Sequence, residues 1–330
     1  MKVLVTGSTG FLGANLVEAL SAAGHEVHAM HRANSRLDAL KELAYVPVVG
    51  DVLDPDSLTP ALEGMDWLFH VAAVADYWRQ RGTAQLYRVN VGGTRNVLLA
   101  ALNAGVRRVV FTSSVAALGL PQNGSTAPLD ESATFNLPAE RFPYGHSKYL
   151  AENVAREFVA RGLQVSTVNP TVVLGPKDLN LISGSIIREV LRFHTPFFPP
   201  GGTNYVDVAD VVAGHIAAAE RGRAGERYIL AGHNLTHRQA LTTVAEIVGV
   251  SPPRWPLPRT MMEPLSTAID WFNRAWPGPP LIDGNQVRLL KHTVFFDGSK
   301  ARRDLNLKPS IPFRDSVART FRWYRDNGYL

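Results

Sequence analysis

The sequence predicts an α/β protein: an open, doubly wound parallel sheet with a smaller, interleaved C-terminal lobe. Three observations carry that prediction. A short apolar strand at the N-terminus runs through a glycine turn directly into a helix; strand-like runs then alternate with helical periodicity; and the strand ends deliver small or polar residues to what becomes one sheet edge. Alternation of this kind gives right-handed crossovers, hence parallel strands with helices on both faces.

The first strand is Val3-Leu4-Val5, and Asn15, Leu16, Val17, Ala19 and Leu20 follow at helical spacing up to Gly24. Between them lies Thr6-Gly7-Ser8-Thr9-Gly10-Phe11-Leu12-Gly13. Gly7 allows a sharp turn, Gly10 allows backbone to approach a bound pyrophosphate, and Gly13 allows the helix to pack closely on the strand. The anion would rest on the helix N-terminus. The spacing Gly-x-x-Gly-x-x-Gly is one residue longer in its first gap than the dinucleotide fingerprint. Context therefore argues for a Rossmann cradle over three ordinary turn glycines: strand, turn and immediate helix are all present.

The second strand, Glu26 to Met30, ends at His31-Arg32, with Arg36 beyond. An acid at this point would accept hydrogen bonds from the ribose 2′-OH of NAD and repel the 2′-phosphate of NADP. None is present. Arg32 offers a planar guanidinium to that phosphate, with Arg36 and Ser8 as helpers, so NADP is the expected cofactor and NAD the second choice. The third strand, Tyr45 to Val49, leads into Gly50-Asp51-Val52, where Asp51 is placed to accept the adenine amino group. Asp54-Pro55 then opens a helix as N-cap and first residue. The fourth strand, Trp67 to Val71, ends in Ala72-Ala73, small enough for backbone to lie against the cofactor. Trp78, in the aromatic loop beyond, is a candidate substrate wall or an ordinary loop-packing residue. From Tyr87 to a stop near Gly105 the spacing predicts one long helix. The fifth strand, Arg108 to Thr112, delivers Ser113-Ser114, and the sixth, Gln164 to Val168, delivers Asn169-Pro170.

Between the last two strands, Pro143-Tyr144-Gly145-His146-Ser147-Lys148 opens a helix carrying Leu150, Val154 and Phe158. Tyr144 and Lys148, four apart, share one face. A free tyrosine titrates near pH 10, too high for a base at neutrality, so phenolate needs a neighbouring ammonium. At about 4 Å and an effective dielectric near 20, the attraction is on the order of 4 kcal/mol, roughly three pKa units before desolvation. Ser114 would then hydrogen-bond the substrate oxygen while Tyr144 gives or takes its proton. Tyr-x-x-x-Lys alone is commonly structural; the glycine turn, the strand-end serine and this pair in order carry the reading.

With these residues in place, the chain resembles the extended short-chain dehydrogenase/reductases over residues 1–330, and most closely the dihydroflavonol-4-reductase-like subgroup. The resemblance implies that the segment containing Gly7, Thr9, Gly10, Phe11, Leu12 and Gly13 is the cofactor turn, and that Gly50-Asp51-Val52 is the adenine contact. It also implies that Ser114, Tyr144 and Lys148 are the catalytic triad. Asn169-Pro170-Thr171-Val172-Val173 is similar to the segment flanking nicotinamide, which makes Pro170, Val172 and Val173 cofactor residues and Asn169 a substrate candidate. Tyr205 to Val211 and Glu226 to Leu230 resemble segments that return to the nucleotide fold. On this basis residues 1–175, with 203–231 returning, form the dinucleotide-binding part, and 176–202 with 232–330 form mainly the substrate lobe. Dehydratases of the superfamily place Thr-Asp-Glu at the catalytic strand end; here Ser114 is followed by Val115-Ala116-Ala117, which argues against dehydration.

The substrate lobe is rich in proline and aromatics. Residues 193–200, 251–259 and 276–280 read as loops and caps, with a polyproline ligand for a partner domain as the alternative, and Trp271, Phe272 and Trp276 read as the core of the lobe in preference to the lining of an apolar pocket. Thr236-His237-Arg238-Gln239 reads as a capping box. That leaves His233 and His237 unsuited to a metal, and no metal site is expected.

Composition narrows the class. Of 330 residues, 45% are hydrophobic and 19% charged, as in a globular protein. The net charge of +5 favours anionic ligands, but its basic residues are scattered, which argues against nucleic acid. No cysteine is present, excluding disulfides and thiolate chemistry. No run of 18 apolar residues suggests a membrane span, and a cytoplasmic location is expected. The leading expectation is an NADPH-dependent reductase of a small-molecule ketone or aldehyde. The alternatives are a nucleotide-sugar epimerase using the same triad and a catalytically silent NADP-sensing protein. The resemblance also implies a homodimer through the Tyr144 helix.

Overall fold

The computed structural model describes residues 1–75, 83–122, 125–179, 181, 184–194, 196–275 and 283–330. Its strands are β1 (Lys2–Thr6), β2 (Glu26–His31), β3 (Val46–Val49), β4 (Trp67–His70), β5 (Arg108–Thr112), β6 (Val165–Pro170), β7 (Val172–Leu174), β8 (Phe197–Phe198), β9 (Gly202–Asp207), β10 (Arg227–Leu230), β11 (His233–Thr236) and β12 (Trp255–Pro256). The helices are α1 (Phe11–Ala22), α2 (Pro55–Leu62), α3 (Thr83–Tyr87), α4 (Thr94–Asn103), α5 (Pro143–Ala160), α6 (Ser185–Phe193), α7 (Val208–Arg221), α8 (His237–Val248), α9 (Met262–Ala275), α10 (Gly284–Leu290), α11 (Ser299–Leu305) and α12 (Phe313–Asp326).

The large sheet has the order β10-β6-β5-β4-β1-β2-β3, and every pairing in it is parallel. Its direction of growth reverses between β1 and β4, so the crevice above their C-terminal ends is where such sheets bind ligands. The pleat sorts the core into two layers. Val3, Val5, Phe69 and Val110 pack with Leu16 and Val17 of α1 and Val211 of α7. Leu4, Leu68, Val109 and Phe111 pack on the other face with Leu58 of α2, Val97 of α4 and Val154 and Phe158 of α5.

Segment 203–231 divides between layers. Strand β9 lies in a small sheet, order β11-β9-β7, while β10 pairs with β6 at the edge of the large one. The lobe core is built from Ile187 and Val190 of α6, Val244 of α8, and Phe313, Val317 and Tyr324 of α12. The proline-rich stretches meet as a two-residue parallel ribbon, Trp255 beside Phe197.

Two expectations are corrected. The stretch from Tyr87 to Gly105 is not one α-helix: Arg88–Gly93 is π-helical, between α3 and α4. Trp271 and Phe272 do not form the lobe's core, being 72% and 56% exposed. Helix α9 instead buries Met262 and Ser266, and its packing on α10 leaves those two aromatics on the outer side. The capping box opening α8 is present, with Thr236 and Gln239 satisfying each other's backbone. Trp78 and Trp276 lie outside the described residues.

Candidate active site

The glycine turn joins β1 to α1 at the crevice. Gly7 has φ +68°, and a Cβ there would stand 2.7 Å from the backbone of Ala72, so the turn lies directly on the end of β4. A Cβ at Gly13 would approach Gly7 O to 2.1 Å; this glycine lets α1 close onto the turn itself. Gly10 is different. It is the N-cap of α1 with no side-chain cap bond, and an added Cβ would have only Gly7 O nearby, at 3.3 Å. The space above the first turn of α1 is therefore open, bounded by half-buried Thr9, Phe11 and Leu12, and fits a diphosphate approaching N–H groups.

The adenosine end is lined differently from the expectation in one respect. Ser8 is fully buried and its hydroxyl donates inward to Met30 O at 2.8 Å, tying the turn to β2, so it is removed from the phosphate-binding set. Arg32 is exposed, and among the described residues no carboxylate pairs with it. Arg36 is exposed and paired with Asp38 at 2.9 Å. His31 Nδ1 donates to Arg32 O at 3.1 Å, and among the described residues its buried Nε2 has no partner. Asp51 commits Oδ1 to Leu53 N at 2.9 Å, and Val52 is buried against α2 and α4. Ala72 is half-buried and Ala73 exposed beside the turn.

The triad candidates lie on β5 and on the helix packed against its end. Ser114 Oγ accepts from Ala116 N at 3.2 Å and caps a 3-10 turn, Val115–Leu118. Helix α5 packs on this turn. A Cβ at Gly145 would lie 2.6 Å from Ala116 O, so a glycine immediately after Tyr144 permits the approach. Ser114 and Tyr144 are each 8% exposed, and Lys148 3%. The Lys148 ammonium donates to Thr112 O at 2.7 Å and lies 5.2 Å from the Phe111 ring centre. Burial pulls its pKa down to about 8, partly opposed by Glu152.

Three residues that the sequence reading passed over complete the arrangement. Asn90, in the π-helical turn, accepts from Val74 N and donates to Val74 O and to Ser147 Oγ, 2.8–3.0 Å, tying the β4 loop to α5. A Gly92-Gly93 pair inside a helical pattern was the available signal. His70 stands fully buried between Thr6 and Thr94; since Thr94 Oγ1 donates to Asn90 O, His70 Nε2 donates to Thr94 and Nδ1 accepts from Thr6. Glu152 lies one turn beyond Lys148. Asn169, Pro170, Val172 and Val173 lie at the adjacent strand ends: Asn169 and Pro170 close β6 itself, and Val172 and Val173 open β7. Asn169 is fully buried, its amide donating to Ser114 O at 3.0 Å. Among the described residues no group of three or more His, Asp or Glu side chains suits a metal. No helix among them is long and apolar enough to cross a membrane.

Residues 3–231 match the NAD dependent epimerase/dehydratase family. The chain is 38% identical to a Synechocystis sp. protein provisionally named as a dihydroflavonol 4-reductase, over 99% of this chain and 95% of that one. It is 36% identical to sterol demethylase protein B of Methylococcus capsulatus, over the full length of both. Among solved structures it superposes on a nucleoside-diphosphate-sugar epimerase from Pseudomonas aeruginosa with TM-score 0.83 and 29% identity, covering 100% of this chain and 99% of that one.

Proposed function

The chain belongs to the NAD-dependent epimerase/dehydratase family of extended short-chain dehydrogenase/reductases, an NAD(P)-dependent class of enzymes, and on that premise we propose that it is an NADPH-dependent reductase of ketones or aldehydes. The observation that carries this reading is that Ser114 ends β5, the Lys148 ammonium sits on Thr112 O of the same strand, and α5 brings Gly145, next to Tyr144, against Ala116 in the turn that Ser114 caps. The substrate is a small molecule whose carbonyl sits on a ring system; the names of the two relatives, a dihydroflavonol reductase and a sterol demethylase protein, support that choice.

In this reading Gly7, Thr9, Gly10, Phe11, Leu12 and Gly13 hold the diphosphate on the N-terminus of α1. Asp51 and Val52 meet the adenine, Ala72 and Ala73 flank the turn, and Pro170, Val172 and Val173 flank the nicotinamide. When bound, NADPH supplies the hydride. Ser114 Oγ donates to the substrate carbonyl oxygen and Tyr144 Oη delivers the proton that makes it a hydroxyl. Lys148 stays an ammonium below about pH 8 and favours the phenolate left on Tyr144. Arg32, with no acid at the end of β2, favours the 2′-phosphate of NADPH, and Arg36 exchanges Asp38 for it.

The test is cofactor oxidation with NADPH and NADH in parallel across ketones, aldehydes and dihydroflavonols. Substrate-dependent loss of NADPH should vanish in Tyr144→Phe. Arg32→Ser should lower kcat/KM for NADPH by about 10- to 100-fold and leave NADH unchanged. The similarity to a nucleotide-sugar epimerase favours a second reading. Interconversion of a nucleotide sugar without net cofactor oxidation would put that reading in place of the first.

A further inference from the structure

Helix α5 carries a second charged side chain on the face that presents Tyr144 and Lys148. Glu152 follows Lys148 by one turn and is 2% exposed, a depth at which an unpaired carboxylate is strongly disfavoured. Its oxygens are shared among three elements. Oε1 accepts from Ser113 Oγ at 2.6 Å, at the end of β5, and from Asn169 Nδ2 at 2.7 Å, in β6. Oε2 accepts from Arg227 Nη1 at 3.0 Å, at the start of β10. Arg227 is itself fixed by the backbone carbonyls of Glu131 and Ala133.

Asn169 extends the network toward the triad. Its amide nitrogen donates to Glu152 and to Ser114 O, both acceptors, so the amide can point only one way. Among the described residues its Oδ1 is then left buried and without a partner. A structural ion pair between Glu152 and Arg227 needs none of this: the bonds to Ser113 and Asn169 leave the sheet edge and run to the two strand ends beside the reacting groups.

We propose that Glu152 is a positioning residue of this site: it clamps the ends of β5 and β6 behind Ser114, fixes the Asn169 amide so that Oδ1 is presented as an open acceptor, and supplies the buried negative charge that keeps Lys148 an ammonium. The clamp is geometry of this chain; only its catalytic consequence rests on the reductase reading. The other charged or titratable groups facing this stretch are Tyr144 and the half-exposed Arg156 on α5, His70 on β4, His215 on α7, Glu131, Glu226 paired with Lys300 of α11, and Arg227 on β10. Both histidines are held neutral by burial, and Glu226 is paired with Lys300, so Glu152 is the most deeply buried charge facing Lys148, with Arg227 its nearest cation.

The test separates electrostatic positioning from simple pairing by its sign. In protein carrying ¹³C-labelled lysine, the Lys148 resonance is identified by its loss in Lys148→Met, and its titration is followed directly. Glu152→Gln keeps an acceptor for Ser113 and Asn169 but removes the charge; the Lys148 midpoint should fall by about one pH unit. Arg227→Gln removes the opposing cation and should raise it. Ser113→Ala, which frees Oε1 of one hydrogen bond, should also raise it, and this arm remains decisive should Glu152→Gln fail to fold. The alkaline limb of kcat/KM should move with the resonance in each variant, whatever carbonyl substrate is used. An unmoved midpoint in Glu152→Gln and Ser113→Ala, or shifts of one sign in all three variants, would overturn the proposal. The resonance needs no turnover, so absence of reductase activity would count against the function and leave this result standing.

Discussion

Lys148 is buried against its own solvation. Its pKa near 8 in the fold, against about 10.5 in an unfolded chain, means that the unfolded state binds the extra proton between those values. Stability therefore rises as pH climbs from 8 to 10.5, and at pH 7 holding the ammonium rather than a neutral amine costs about 3 kcal/mol. Part of that is offset by the bond to Thr112 O and the Phe111 ring. Lys148→Met, which keeps the length and apolar bulk of the stem, is accordingly expected to raise the melting temperature by a few degrees while abolishing turnover. Calorimetry checks the first half and the NADPH assay the second. A lower melting temperature would mean that the ammonium is part of what holds the sheet together, and the electrostatic account of this residue would fail.

The contact between α5 and the turn after Ser114 is made by backbone, and Gly145 is what permits it. In an ordinary helix interior Gly→Ala stabilises by about 0.5–1 kcal/mol. Here the added methyl would meet Ala116 O at 2.6 Å and the Phe135 ring at 2.9 Å. Gly145→Ala is therefore expected to destabilise by about 1–3 kcal/mol and to lower kcat by pushing the Tyr144 turn of α5 off the turn that Ser114 caps. A melt and a turnover assay on the same preparation decide it. Which elements were legible follows from such contacts. The strand–turn–helix at residues 2–22 and the parallel sense of the large sheet's strands were readable because period and punctuation are local properties of a sequence. The π-helical turn was not: Asn90 is polar in a helical pattern, and only its bonds to Val74 and Ser147 show why the helix widens there. Trp271 and Phe272 were misplaced for a related reason. Hydrophobicity says that an aromatic gains by burial, whereas which side of α9 meets α10 is decided by residues of a separate element. Glu152 and Gly145 stood in the sequence beside the triad, yet a carboxylate four residues past a lysine reads as a solvated helix pair until Ser113, Asn169 and Arg227 converge on it.

Three buried histidines couple the whole molecule to pH. His70 is held near 3 and His215 and His237 near 4, in each case because burial disfavours the imidazolium. The hydrogen bonds of the first two agree with neutral rings. His70 accepts from Thr6 while donating to Thr94, and His215 donates through Nδ1 to Val211 O while accepting from Thr112. Unfolded, each takes a proton near pH 6.5, so below that value the unfolded state binds more protons and stability falls with pH until the folded values are reached. At pH 5 the loss is about 2 kcal/mol for each ring, and together it is comparable with the whole stability of a typical domain. The three rings sit in different layers: His70 joins β4 to β1 and to α4, His215 joins α7 to β5, and His237 opens α8 in the lobe. Acid should thus unfold the large sheet and the lobe within the same narrow range rather than peel one from the other. Urea midpoints measured from pH 8 to pH 4 should hold steady to about 6.5 and then drop steeply. His215→Gln, which can keep a donor toward Val211 and an acceptor toward Thr112, should shallow the drop. A flat profile through pH 5 would mean that these imidazoles are protonated in the folded state, and the neutral hydrogen-bond chain from Thr6 to Asn90 would have to be redrawn.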